Sequence, residues 1–319
     1  MKKFLLKLLV FFLPIIILSY GADVLISKNL ARSSSGANPS WKAIFNGTVN
    51  SDIVIYGSSR ATEQLDPKIL SDSLKHPAYN MGVYAHNFWL QYLRHRLLLK
   101  YNKKPKLIIH SLDFMTFQKR PDLFDPGQFL PYMLFDTLVE KYTISYKGYN
   151  VYDYEIPLVR YYGQMRYIHQ AFSMFTGKTP DIPDPDKGYA PNTQQSFTVF
   201  AELLARQKDY KIEFDKPSLA LFDKYLRQCQ KDSIKVIFVY TPEYIDGQHF
   251  IANREQLFDI IHQFSKKYNI PFYDYTTDTM SYKKAYFYNS EHLNKMGSQL
   301  FTKKLVGDLK HRNGEMFKF

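Results

Sequence analysis

Three short segments of the chain carry residue types that suit nucleophilic chemistry. The first places Ser59 two residues after Gly57, and a glycine there allows the sharp turn that presents a hydroxyl at the start of a helix. Gly82 has no side chain, so an oxyanion can approach its backbone N–H closely. Near the C-terminus, His292 lies in a loop that enters the last predicted helix. A serine, a base and N–H donors are the parts needed for acyl transfer through a covalent intermediate.

Each of these segments has a simpler interpretation when it is taken alone. Ser59 could cap a helix, and a single glycine such as Gly82 is common in turns. Open parallel sheets, however, bind ligands at the carboxyl ends of their strands. Because Ser59 and Gly82 both come just after predicted strands, their positions favour a shared site.

The elements that must position these residues alternate between strands and helices. Short β-branched runs predict strands, and apolar residues at helical spacing predict helices. This alternation is typical of an α/β fold with a parallel sheet and right-handed connections. The predicted strands cover residues 52–56, 106–113, 234–240 and 270–275, and residues 79–82 are a short strand and its turn. The predicted helices cover residues 67–74, 87–101, 217–232, 254–268 and 294–310.

A segment rich in tyrosine, phenylalanine and proline interrupts the alternation over residues 114–215. We interpret it as a largely helical cap inserted into one α/β domain that covers residues 51–319. Aromatic residues make up 17% of the chain. Most of them are interpreted as the core of the insertion, and a sugar-binding surface is the alternative.

Taken in this order, the segments resemble the SGNH, or GDSL-like, hydrolase superfamily. The resemblance covers residues 52–113 and 217–310. The most similar branch is a group of bacterial envelope proteins that carry Gly-x-Ser-Arg, Asn-x-Gly and a terminal His-Leu-Asn-x-x-Gly, and it includes proteins related to the acylation of surface polysaccharides. The resemblance implies a three-layer sandwich with a central parallel sheet, in a flavodoxin-like arrangement. It also implies Ser59 as the nucleophile, the N–H groups of Ser59 and Gly82 as oxyanion donors, and His292 as the base.

Two positions depart from the pattern of this superfamily. Its acid, three residues before the histidine, is Asn289 here, and an amide can orient an imidazole but cannot stabilise the imidazolium with a negative charge. The usual oxyanion asparagine is also absent from the block that ends at Asp113. Asp113 is therefore a second candidate for the acid. Glu291, next to His292 in the sequence, is a weaker one.

Other charged and metal-ligating residue types have less specific interpretations. Arg60 and Glu243 would lie at the pocket rim, and a structural ion pair is the favoured interpretation. The histidines do not have the spacing of metal ligands, so neither a metal nor a cofactor is expected. Cys229 is interpreted as a small buried hydrophobe. The histidines considered for a metal site are His86, His110 and His249.

The N-terminus has the pattern of an export signal. Met1-Lys2-Lys3 precedes an apolar stretch of about 20 residues, which is long enough to span a bilayer. The lysines favour the cytoplasmic side. We expect an uncleaved signal anchor over residues 1–30 and a flexible linker over 31–50, with the domain facing the periplasm or cell exterior. Cleavage near Ser19 or Gly21, followed by secretion, is the alternative.

The net charge of +12 and the pI of about 9.3 raise the question of nucleic-acid binding. Lysines and arginines are scattered among acids along the whole chain, and this distribution argues against a nucleic-acid partner. A mildly basic surface near anionic lipid or polysaccharide is sufficient to explain the positive net charge.

These observations predict an exported serine esterase or O-acyltransferase. It would move an acetyl or similar acyl group on a cell-surface polysaccharide through an acyl-enzyme at Ser59. The resemblance adds a membrane acyltransferase as a candidate partner. The alternative is a catalytically impaired module for glycan binding or assembly, with Asn289 marking the loss of the acid.

Overall fold

The computed structural model describes residues 1–33, 39–85, 87–179, 186–198 and 209–314. The chain divides into two compact units. We call the first, Met1–Lys42 with Pro121–Pro183, the helical unit, and the second, Ala43–Arg120 with Asp184–Phe319, the α/β unit.

A five-stranded parallel sheet forms the centre of the α/β unit, which confirms the predicted fold class. The strand order is β2-β1-β3-β4-β5, so the chain leaves β1 toward one edge and leaves β3 toward the other. The carboxyl ends of β1 and β3 therefore form the point where such sheets bind ligands. The strands are β1 Ile53–Tyr56, β2 Ala78–Asn80, β3 Leu107–Ser111, β4 Lys235–Tyr240 and β5 Phe272–Asp274.

The helices fall close to the segments that periodicity predicts. Side-chain caps explain several of the starts, since Asp66, Asn87 and Asn294 each accept a hydrogen bond from the first turn of a helix. The helices are α1 Lys2–Arg32, α2 Pro39–Phe45, α3 Ser59–Gln64, α4 Pro67–Leu74, α5 Phe88–Tyr101, α6 Thr137–Thr143, α7 Tyr152–Glu155, α8 Met165–Phe175, α9 Lys216–Lys231, α10 Ile245–His249, α11 Arg254–Tyr268 and α12 Lys295–Asn313.

Both faces of the sheet are buried, as expected for a parallel sheet covered by helices. Ile55 and Ile109 belong to a hydrophobic cluster with side chains of α4 and α12. Tyr56 and His110, the next residues along these two strands, pack against aromatic rings. The ring centroids of His110 and Tyr225 are 5.6 Å apart. Much of the aromatic content therefore packs against the sheet rather than only inside the insertion.

The helical unit differs in extent from the predicted insertion. The compact segment covers residues 121–183 rather than 114–215, and it packs with the N-terminal helix. Within the predicted linker, residues 39–45 form α2, where the side chain of Trp41 is buried. Residues 34–38 of that linker lie outside the described residues.

Among the residues that the structure describes, α1 is the one helix that is long and apolar enough to cross a membrane. It is continuous past Pro14 and extends to Arg32. The apolar stretch and the part that packs in the helical unit therefore belong to a single helix.

Candidate active site

The loop after β1 holds Ser59 at the carboxyl edge of the sheet. Gly57 has a φ of +147°, and an added Cβ would lie 2.6 Å from the carbonyl oxygen of Ser111. Only glycine suits this turn. Ser58 caps α3 by accepting a hydrogen bond from the Arg60 N–H, so Ser59 is the first helical residue rather than the cap. Ser59 is partly exposed while both neighbours are buried.

The structure brings Ser59 and His292 together across 233 residues of sequence. Ser59 Oγ lies 2.8 Å from His292 Nε2, which is hydrogen-bond distance. His292 comes from the loop before α12, and the Asn294 cap fixes the start of that helix. The arrangement is that of a hydroxyl and the base that could deprotonate it.

Asn289 determines which nitrogen of the imidazole carries the proton. Its Oδ1 accepts the backbone N–H groups of Glu291 and His292, both at 2.9 Å, so this atom is an acceptor. The same oxygen lies 3.0 Å from His292 Nδ1, which must therefore be the protonated nitrogen. His292 Nε2 consequently directs a lone pair at the Ser59 hydroxyl.

The electrostatic surroundings keep His292 neutral. Burial lowers the pKa of His292 to about 3, and the positive charge of Arg60 acts in the same direction. Asn289 is uncharged and does not oppose either effect. A neutral imidazole is ready to accept a proton, but the imidazolium that forms is poorly stabilised.

Arg60 and Glu243 form a buried ion pair with a distance of 2.5 Å. Arg60 also donates to Thr241 and lies over the ring of Tyr240. Arg254 Nη2 approaches the other oxygen of Glu243 at 2.6 Å, without the geometry of a hydrogen bond. These contacts fit the structural ion pair favoured from sequence. The charge of Arg60 also acts on the site, because it lowers the pKa of His292.

Asp113 does not contact the imidazole, whose Nδ1 faces Asn289. Its carboxylate accepts hydrogen bonds from the Ser58 hydroxyl and from the Met115 N–H. Burial raises the pKa of Asp113, while Arg60 and these donors lower it. Asp113 therefore stabilises the turn that carries the serine, and the interpretation of this residue as a substitute acid for His292 is wrong in this structure.

Gly82 packs against the start of α3, where an added Cβ would lie 2.7 Å from the backbone nitrogen of Thr62. Its N–H donates to Asn80 Oδ1 at 2.9 Å. An oxyanion would therefore have to replace Asn80 as the acceptor. The amide of Asn80 donates to the carbonyls of Ala61 and Leu65, which connects the end of β2 to α3.

Asn80 positions Gly82 by accepting its N–H, and two carboxyl groups, Glu63 and Glu291, occur in the segments that carry Ser59 and His292. Glu63 is buried, four residues after Ser59 on the same face of α3, and one of its carboxyl oxygens has no hydrogen-bond partner. Burial raises the pKa of Glu63 to about 7 and that of Glu291 to about 7.

The remaining residues that were considered from the sequence lie apart from this arrangement. His110 is buried against Gln91 and Tyr225, and burial lowers its pKa to about 3. His86 lies outside the described residues. Cys229 is buried, and burial raises its pKa to about 12. Within the described ranges no group of three or more metal-ligating side chains occurs.

No protein-family model matches the chain, and no curated protein matches it. A search of solved structures finds a crystal structure from Bacteroides fragilis NCTC 9343 that is provisionally described as an acylhydrolase. The two chains are 10% identical, the alignment covers 80% of this chain and 86% of that one, and the TM-score is 0.33.

Proposed function

We propose that the chain is a serine esterase or O-acyltransferase that forms an acyl-enzyme at Ser59. The observation that carries this proposal is the 2.8 Å contact between Ser59 Oγ and His292 Nε2, with the tautomer set by Asn289. A hydroxyl paired with an unprotonated, oriented imidazole nitrogen is the arrangement that activates a serine.

In the first step, Ser59 Oγ attacks the carbonyl carbon of an ester while its proton passes to His292 Nε2. The Ser59 N–H and the Gly82 N–H, after it leaves Asn80, would donate to the oxyanion. Collapse of the tetrahedral intermediate breaks the ester C–O bond, and His292 returns the proton to the departing alkoxide oxygen. The acyl group is then bonded to Ser59.

In the second step, water or a sugar hydroxyl gives its proton to His292 and attacks the acyl carbon. Water yields a carboxylic acid, and a sugar hydroxyl yields a new ester. Collapse of this second tetrahedral intermediate breaks the bond between the acyl carbon and Ser59 Oγ, and His292 returns its proton to that oxygen. The resemblance to the envelope branch supports a cell-surface polysaccharide as substrate and an acetyl or similar group as the acyl moiety, with a membrane acyltransferase as a partner.

We also propose that α1 anchors the protein in the inner membrane, with the chain after α1 outside it. The apolar residues of α1 before Tyr20 are exposed to solvent in the isolated chain, which supports contact with lipid. Lys2, Lys3 and Lys7 favour the cytoplasmic side.

A non-catalytic glycan-binding or assembly role is the second candidate. The uncharged partner Asn289 and the low pKa of His292 favour it, because both make the imidazolium less stable. Such a protein would retain the fold and the pair without turnover.

A fluorophosphonate probe distinguishes the two candidates. The full chain in detergent is expected to form a covalent adduct that mass spectrometry maps to Ser59, and His292→Ala is expected to abolish it. Ser145→Ala is the matched control, since it removes an exposed hydroxyl that takes no part in the arrangement around Ser59 and should leave the adduct. A folded chain with no adduct at Ser59 would support the non-catalytic role.

A further inference from the structure

Arg160 is joined to the last third of α1 by a buried ion pair. Arg160 Nη1 and Nη2 donate to the two carboxylate oxygens of Asp23 at 2.8 and 2.6 Å, and both side chains are fully buried. The Leu158 N–H donates to Asp23 at 2.7 Å, and Ser27 contacts the Tyr161 hydroxyl at 2.8 Å. The segment around Leu158–Tyr161 is therefore fixed beside Asp23 and Ser27.

These contacts determine where the segment lies along the helix. Asp23 is three residues after Tyr20, and a rise of 1.5 Å per residue separates them by about 4.5 Å. Tyr20 itself packs against Phe135, with 6.3 Å between ring centroids. Parts of the helical unit thus reach the level at which the apolar stretch of α1 ends.

Large side chains that adjoin these contacts are exposed. Phe135 is 43% exposed, Ile156 is 44% exposed and Tyr162 is 92% exposed. Aromatic residues with a polar tip, such as tyrosine, concentrate where a membrane meets water. We name Phe135, Ile156 and Tyr162 the collar.

We propose that the collar inserts into the outer-leaflet surface of the bilayer around α1. The inference rests on the proposed anchoring by α1, because the position of that helix in the bilayer sets the depth of the collar. The continuity of the collar with the apolar surface of α1 favours lipid as the occupant, since Tyr20 contacts Phe135 directly.

The helical unit also provides a control residue that lies farther along the axis of α1. Gln170 of α8 donates a hydrogen bond to the Ser33 hydroxyl at 2.6 Å. Ser33 is ten residues after Asp23, which places it about 15 Å farther along the axis of α1. Phe172, two residues later, is 60% exposed. It matches the collar in chemistry and exposure, and from this spacing we expect it to lie beyond the interfacial layer.

Depth-dependent fluorescence quenching tests the proposal. The full chain carrying Tyr162→Cys, Phe135→Cys or Phe172→Cys is labelled with the fluorophore NBD and placed in phosphatidylethanolamine and phosphatidylglycerol vesicles. Cys229 is buried with a raised pKa, so the introduced thiols should react selectively, and the unsubstituted chain measures any background.

Probes at 162 and 135 are expected to shift to shorter emission wavelengths and to be quenched by lipids with a nitroxide near the headgroup. The probe at 172 should instead be quenched by aqueous iodide. A probe at 162 that behaves like the one at 172, in chains that float with the vesicles, would overturn the proposal. Shielding of position 162 from both quenchers would assign the collar to a protein contact and overturn it as well.

Flotation separates this proposal from the proposals it rests on. Chains that do not float with the vesicles would refute anchoring and the collar together. The reaction of Ser59 with a fluorophosphonate is measured independently in the same preparations. Loss of that reaction would refute the catalytic function without affecting the quenching result.

Discussion

Asn289 sets the tautomer of His292 and orients its ring, as a charged partner would. It cannot stabilise the imidazolium with a negative charge. Its oxygen sets the tautomer and holds the ring, through hydrogen bonds of 3.0 Å to Nδ1 and 2.9 Å to the backbone N–H. It brings no negative charge, so burial and Arg60 keep the pKa of His292 at about 3. Orientation is therefore present and stabilisation of the imidazolium is not.

Asn289→Asp is expected to increase ester hydrolysis. A carboxylate stabilises the imidazolium, and in serine proteases the reverse change lowers turnover by about 10⁴, which bounds the gain from above. Activity requires neutral His292, so the wild-type rate should fall only as the pH approaches about 3. The carboxylate raises the pKa of His292, which moves this acid limb to higher pH. The measurement is kcat/KM for p-nitrophenyl acetate against pH.

Asn289→Ala serves as the control for that experiment, because it removes the orienting oxygen without adding charge. Its activity should fall below that of the wild type. If Asn289→Asp gives no gain and leaves the acid limb in place, another group already supplies the negative charge, and the explanation based on Asn289 fails.

At the level of elements, the site depends on the close approach of two turns. The turn after β1 carries Ser59, and the turn after β2 presses Gly82 against Thr62 at the start of α3. Asn80 reinforces this contact by donating to two carbonyls of the same segment. The position of Ser59 relative to His292 therefore depends on glycine at position 82.

Gly82→Ala is expected to destabilise the protein and to slow the labelling of Ser59. The new Cβ would lie 2.3 Å from Thr62 Oγ1 and 2.7 Å from the Thr62 nitrogen, so the two turns must separate. Overpacking of this kind typically costs about 1–3 kcal/mol. Chemical denaturation and the rate of fluorophosphonate labelling measure the two effects.

Gly307→Ala is the matched control, since Gly307 lies within α12 and a Cβ there meets no atom within 4 Å. Helix propensity predicts that this variant is at least as stable as the wild type. Equal stability and labelling rates in the two alanine variants would contradict the role given to Gly82.

At the scale of the whole molecule, each of the two units buries apolar side chains and contains a buried ion pair. The α/β unit buries aliphatic and aromatic side chains on the two faces of its sheet. The helical unit depends on a buried ion pair between Asp23 and Arg160, which are 137 residues apart. Removal of one partner leaves the other charge buried without compensation.

Asp23→Asn is expected to loosen the helical unit while Ser59 still reacts with a fluorophosphonate. Breaking a buried ion pair costs about 3–5 kcal/mol, and the effect should appear as faster proteolysis within residues 121–183. Asp72→Asn is the control, because it breaks only the exposed pair with Lys68 and should change little. Unchanged proteolysis in Asp23→Asn would show that the ion pair does not hold this unit.

Local chemistry made much of the fold predictable. The β-branched run before Gly57 forms β1, and the helix predicted over residues 254–268 is α11 with the same bounds. Helix α4 begins after Asp66, which caps it, with Pro67 as its first residue. Adjacent residues determine these features, so a single sequence carries the information.

The sequence by itself determined the alternating elements, the apolar stretch of α1 and the candidates Ser59 and His292. Only the tertiary structure decided that the imidazole faces Asn289, that Asp113 binds Ser58, and that residues 121–183 pack with the N-terminal helix. These outcomes depend on contacts between residues far apart in the chain. Such contacts form when burial brings the groups together, and each polar group must then find its partner within the folded interior.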